Sequence, residues 1–108
     1  MKRKKRKNNF FDQVFSVVKK IPERRVMTYG QIAKELETRD ARKVGWALHS
    51  NKHENVPCHR VVNKQGGLAK NFAFNGWKEQ RKRLLEEDVV FKNEMHVDLD
   101  KCSIIRQK

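Results

Sequence analysis

Apolar residues recur at helical spacing near the start of the chain. Phe11, Val14, Phe15 and Val18 stand at i, i+3, i+4 and i+7, and Phe10, Val17 and Ile21 widen the stripe. Asn8 or Asn9 can cap this helix, Asp12 suits the positive end of its dipole, and Pro22 stops it. Residues 23–27 read as a link or short strand. Thr28-Tyr29-Gly30-Gln31 then fits a capping box and opens a helix with Ile32, Ala33 and Leu36 inward. After a turn at 37–39, Asp40 can cap a second helix, Ala41 to about His49, whose apolar side is Val44, Ala47 and Leu48. Two short helices joined by a tight turn read as a helix-turn-helix.

The second half is less regular. Ser50 to Asn55 is a polar loop, Pro57 opens a turn, and Arg60 to Val62 suit a short strand. Lys64-Gln65-Gly66-Gly67 is a turn signal, and residues 68–75 form an irregular loop. Asn75 can cap a last main helix, Gly76 to about Glu87, with Trp77, Leu84 and Leu85 as its apolar residues. The stretches Val89-Val90-Phe91 and Val97-Asp98-Leu99 suit a small hairpin.

Composition narrows the class. A chain of 108 residues is expected to form one domain, here 9–108. No apolar run approaches the roughly 20 residues of a membrane helix, and no signal peptide is expected after the basic start. Two cysteines, Cys58 and Cys102, are too few for a disulfide scaffold, which favours a reduced compartment: cytoplasmic and nucleoid-associated, or nuclear. The charge of +13 points to a polyanionic partner, most simply nucleic acid. Six of the cations fall in Lys2 to Lys7, so residues 1–8 are expected to be a disordered basic tail.

The reactive constellation is Cys58 beside His59. A thiol is only partly ionised at neutral pH, and a nearby base raises the nucleophilic thiolate fraction. Read alone, Cys58 is more simply a buried packing residue than a nucleophile. Cys58, Cys102, His49, His53, His59 and His96 show no metal-ligand spacing, so no metal is expected. Ala41, Arg42, Lys43 and Gly45 combine small residues with cations on one helix, which suits phosphates or a groove. The alternative is that Gly45 merely permits tight packing.

The segments MTYGQIAKEL at 27–36, ARKVGWAL at 41–48 and VPCHRVV at 56–62, in this order, resemble the O6-alkylguanine-DNA alkyltransferases and the related alkyltransferase-like proteins. The resemblance runs from about Phe11 to Phe91 and covers the DNA-binding domain of that family. It implies a mainly α fold with a small β wing, a winged helix-turn-helix whose recognition helix enters the minor groove. It also implies a monomer acting on double-stranded DNA that carries O6-alkylguanine, with no cofactor and no membrane.

The resemblance makes Cys58 the alkyl acceptor, linked through a water to His59, with a glutamate orienting that histidine. Aligning the segment after Leu84-Leu85 leaves both Glu87 and Asp88 open for this last role. Asn51 matches the asparagine that braces the active-site turn. Tyr29 matches the tyrosine that helps turn the phosphate and faces the guanine. Arg42 matches the arginine that fills the stack after the damaged nucleotide is flipped out. Ala41, Lys43 and Gly45 belong to the DNA-facing helix, and the backbone of Val61 to the substrate pocket. Arg60 is counted with the DNA-binding cations and also as a residue that holds local structure by pairing. The usual pocket loop is replaced by LAKNFAFNGW at 68–77. Two activities follow from the resemblance: irreversible alkyl transfer to Cys58, or lesion sensing without repair that signals to nucleotide excision repair proteins. Sensors typically carry tryptophan at the acceptor position, where Cys58 stands here.

Overall fold

The computed structural model of the chain describes residues 9–51, 55–69 and 76–104. The basic tail, His53, residues 70–75 of the replaced pocket loop and the Asn75 cap lie outside them. The expected fold class holds: the described residues are mostly helical and form two small two-stranded sheets. Among the described residues no helix is long and apolar enough to cross a membrane.

Helix α1 spans Phe10–Lys19 and is capped by Asn9, whose side chain accepts from the Asp12 N–H at 2.9 Å. Val14 and Val18 are buried, whereas Phe11, expected inside, is 40% exposed. Strand β1 is Met27–Thr28, and α2 is Tyr29–Glu35. The capping box forms in full. Thr28 Oγ1 accepts from Gln31 N–H at 3.0 Å, and the Gln31 side chain accepts from Thr28 N–H at 2.9 Å. Glu37 then turns the chain at φ +61°, and α3, Ala41–His49, starts on an Asp40 cap to Arg42 N–H. Val44, Ala47 and Leu48 face inward against α1 and α2, as the spacing predicts.

The Arg60–Val62 strand expected from sequence is shorter. Cys58–Arg60 is a 3₁₀ turn, and strand β2 is Val61–Val62. Pro57 explains the difference. At φ −78°, ψ +67° it is the centre of an inverse γ-turn, with Cys58 N–H on Val56 C=O at 2.7 Å. The Arg60 N–H then closes the next turn on Pro57 C=O at 2.9 Å. Strand β2 pairs in parallel with β1, Met27 opposite Val61 and Thr28 opposite Val62. Alternate residues point to opposite faces. Met27 and Val61 therefore enter the core beneath α1–α3, while Val26 and Val62 enter a second core with Leu84, Val89 and Val97. The parallel pair thus places the Cys58 turn within reach of Tyr29 at the start of α2.

Helix α4, Trp77–Glu86, starts at Gly76 (φ +82°) and buries Leu84 but leaves Leu85 43% exposed, contrary to the expected stripe. The buried partner of Leu84 on this face is Gln80. The chain leaves α4 through Asp88 at φ +65°, with Asp88 N–H on Leu85 C=O and Val89 N–H on Leu84 C=O. This is a Schellman end with an aspartate in the left-handed position that glycine usually fills. The hairpin is tighter than expected: β3, Phe91–Asn93, falls later and β4, His96–Val97, earlier than the sequence stretches that suggested them. A short helix not foreseen from the sequence, α5 Leu99–Cys102, follows. Cys102 is buried there; its sulfur accepts from Val90 N–H at 3.1 Å, a packing role.

Candidate active site

The Pro57 turn presents Cys58 to the end of α3. Asn51, buried just beyond that helix, donates its Nδ2–H to Cys58 Sγ at 3.0 Å. Cys58 is 7% exposed. Burial pushes its thiol pKa up, and the Asn51 hydrogen bond and the more distant Arg83 charge only partly oppose this. The resting group is therefore the thiol, held by a donor that would bind the thiolate more strongly.

His59 faces the other way on the same turn. Its Nε2 lies 2.8 Å from Glu87 Oε2. Arg60 binds both oxygens of that carboxylate, Nε to Oε1 at 2.8 Å and Nη2 to Oε2 at 2.7 Å, and donates Nη1–H to Ile21 C=O at 2.7 Å. Burial raises the Glu87 pKa, but the hydrogen bonds from Arg60 and His59 outweigh it and hold the carboxyl below its ordinary value. Burial lowers the His59 pKa more than Glu87 raises it, so the imidazole rests neutral. A neutral ring that donates Nε2–H to a carboxylate keeps its lone pair on Nδ1. This is the arrangement of a base ready to accept a proton.

Of the two acidic residues left open by the sequence, Glu87 makes this contact. Asp88 does not: its left-handed backbone turns the carboxylate out to Arg24, 3.7 Å away, with both side chains largely exposed. Arg60 holds local structure by pairing, one of its two expected roles. Its side chain is 14% exposed and committed to Glu87 and Ile21, behind the site and away from the depression that Arg42 lines. Val61 lies next to the turn; its N–H bonds Cys58 C=O, and its carbonyl accepts from Gln80 Nε2–H at 3.0 Å.

Gln80 was missed by the sequence reading. Fully buried, it also donates to His59 C=O at 3.2 Å and accepts from Ala69 N–H at 2.8 Å. It ties α4 to both ends of the His59–Val61 segment and to the start of the 68–77 loop. A signal existed: Trp77, Gln80 and Leu84 fall at i, i+3 and i+7, so the glutamine occupies an apolar stripe.

On the other side of α2 and α3, Tyr29, Ala41, Arg42, Gly45 and Trp46 line an open depression of about 340 Å³. Tyr29 is half-buried; burial first, then the negative charge of an ionised Cys58, pushes its phenol pKa up. Arg42 is 85% exposed and 4.0 Å from Asp40, free to swing outward. Lys43 lies instead over the Phe10 ring, 5.7 Å from its centre. The structure thus brings Asn51, Cys58, His59 and Glu87 together inside and places Tyr29, Ala41, Arg42 and Gly45 on one outer surface.

Residues 9–89 match the family model for the DNA-binding domain of 6-O-methylguanine DNA methyltransferase. The chain belongs to this family. It is 38% identical over 86 residues to alkyltransferase-like protein 1 of Schizosaccharomyces pombe, covering 78% of this chain and 80% of that one. It is 40% identical over 84 residues to a methylated-DNA–protein-cysteine methyltransferase of Sulfolobus acidocaldarius, covering 77% of this chain and 51% of the relative. This chain therefore spans about half the length of that enzyme. A crystal structure of S. pombe Atl1 in complex with damaged DNA containing O6-carboxymethylguanine superposes with a TM-score of 0.78 at 33% identity, covering 89% of this chain and 94% of that one. The family therefore takes in both alkyltransferases and alkyltransferase-like proteins, and the helix-turn-helix with its small sheets is their shared domain.

Proposed function

We propose that this protein repairs O6-alkylguanine in DNA by moving the alkyl group onto Cys58. The observation that carries this reading is the pairing on one turn of a Cys58 sulfur held by Asn51 with a neutral His59 held by ionised Glu87. The DNA approaches over Arg42, and the extruded base enters beside Tyr29. As the thiol proton moves to His59, through a bridging water if needed, the sulfur attacks the alkyl carbon. The S–C bond forms as the O6–C bond breaks, and the bonding pair returns to the purine, which takes up one proton as guanine. Asn51 stabilises the thiolate as it forms, and Tyr29, kept protonated by burial, is a donor for the departing base. The thioether has no partner here to reverse it, so each molecule acts once.

The test is intact-mass measurement after incubation with an oligonucleotide containing O6-methylguanine. A methyl adduct on Cys58, absent in Cys58→Ala, is the expected result. A second reading has its own support: the chain resembles alkyltransferase-like protein 1 in sequence and in fold, and its thiol is buried. On that reading the protein senses the lesion and passes it to nucleotide excision repair proteins. Lesion-selective binding with unchanged mass would establish the sensor and remove the transfer.

A further inference from the structure

Among the described large apolar residues Trp46 is the most exposed, at 61%, against 43% for the next. It lies on α3, one turn beyond Arg42, on the side turned away from the buried Val44, Ala47 and Leu48. A single exposed apolar side chain is ordinary on a protein surface. Three features set this one apart. Its indole lines the same depression as Arg42 and Tyr29. No hydrogen bond or ring contact engages it among the described residues. Next to it the backbone at Gly45 is bare, since a Cβ there would meet nothing within 4 Å, which lets a ligand come down onto the helix beside the indole.

Charge selects the ligand. Arg42 is exposed on this face, and the chain carries +13. A polyanion with flat apolar surfaces at its core fits both the cation and the indole. One helical turn advances about 5.4 Å, so Arg42 and Trp46 would meet positions one to two base steps apart. Aromatic and apolar side chains inserted at such steps unstack them in part and add affinity without reading sequence.

We propose that Trp46 is a second DNA-contacting wedge of this surface, packing its indole against the nucleotide that flanks the one Arg42 replaces. The inference rests on the DNA-binding reading above. Its contribution is expected to be independent of the lesion, because the indole touches a neighbour of the damaged nucleotide.

The test combines affinity and fluorescence, using the full chain with matched duplexes that do or do not contain O6-methylguanine. Trp46→Ala should weaken binding to both by about tenfold, and by the same factor. Trp46→Phe should stay within about threefold of wild type, and Trp46→Lys should not restore affinity despite its added charge. The quenching of tryptophan emission on adding either duplex should largely disappear in Trp46→Phe, whose remaining indole, Trp77, packs against the second core. Circular dichroism melts confirm that each variant is folded. Wild-type affinity in Trp46→Ala for both duplexes, or undiminished quenching in Trp46→Phe, would overturn the wedge alone and leave DNA binding standing. Failure of the wild-type chain to bind either duplex would overturn both.

Discussion

His59 and Arg60, neighbours on one 3₁₀ turn, reach the same carboxylate oxygen: Glu87 Oε2 lies 2.8 Å from His59 Nε2 and 2.7 Å from Arg60 Nη2. One anion therefore fixes the tautomer of His59 and anchors the turn that carries Cys58. Glu87→Gln keeps the shape and removes the charge. The Arg60 guanidinium would then be buried without its counter-ion, at a cost of about 3 kcal/mol in folding stability. His59 would lose the charge that favours its protonated form, and alkyl transfer at neutral pH should slow about 100-fold. Denaturant melts and single-turnover mass kinetics measure the two effects separately. A stable, fully active Glu87→Gln protein would show that the carboxylate serves neither purpose.

The same groups set the response to pH. Burial lowers the His59 pKa in the folded protein, so below the ordinary histidine value near 6.5 the unfolded chain takes up a proton that the native one refuses. Glu87 is held below its ordinary value, so its contribution is also complete above that value and lost as pH falls through the depressed one. Both signs agree, and stability should decline on acidification, first below about pH 6.5 and again through the carboxylate range. Cys58 has the opposite consequence at the alkaline end. Its raised pKa favours the unfolded chain once pH exceeds the ordinary thiol value, near 8.5 to 9. Thermal melts from about pH 4 to about pH 10, a range that brackets these ordinary values, should be steeper at the acid end for wild type than for His59→Gln. Cys58→Ser should remove part of the alkaline loss. Identical profiles in all three proteins would contradict these signs.

Gln80 connects this pair to the rest of the molecule. Its amide satisfies the His59 and Val61 carbonyls and the Ala69 N–H, all inside the fold. Gln80→Leu preserves volume and strands three backbone groups. Each unsatisfied buried group costs about 1–3 kcal/mol, part of which relaxation recovers, so a net loss of about 3 kcal/mol is expected in urea melts. An unchanged midpoint would mean that the three groups find other partners.

What the sequence made legible, and what it hid, divides along range. Asp40, Thr28 and Asn9 cap helices through bonds to residues two or three positions away, so α1, α2 and α3 start where their residue types require. The inner face of α3 follows from period alone. Gln80 is harder to see, because its partners lie 11 to 21 positions away and its polarity reads as exposure. Arg60 carried two readings, a DNA-facing cation and a residue that pairs locally, and only the fold, by bringing Glu87 and Ile21 to it, shows the pairing. The choice between Glu87 and Asp88 turned on a single dihedral angle. A left-handed aspartate leaves little trace in composition, yet it directs one carboxylate inward and its neighbour out.

That angle yields a stability prediction. Asp88 holds φ +65° at the end of α4, a region where a Cβ costs roughly 1–2 kcal/mol. Its compensating pair with Arg24 is long and exposed, and such pairs contribute little. Asp88→Gly should therefore stabilise the protein by about 1 kcal/mol, less the entropy that glycine adds to the unfolded chain. Transfer to Cys58 should be unchanged, since Asp88 touches no part of the site. Loss of activity in a folded Asp88→Gly protein would return the orienting role to this residue.

Arg42 tests the outer face. Its side chain is exposed beside the depression that Tyr29 and Trp46 also line, and its contact to Asp40 is weak. Filling the space left by a flipped nucleotide offsets an unstacking cost of a few kcal/mol, and only DNA in which the base has left the helix draws on that. Arg42→Ala should accordingly weaken capture of an O6-methylguanine duplex by about 30-fold. The loss for an undamaged duplex should stay within about threefold, the share of one cation among many. Equal losses on the two duplexes would make Arg42 a phosphate contact and leave the vacated space to another side chain, for which Trp46 is the nearest candidate on this helix.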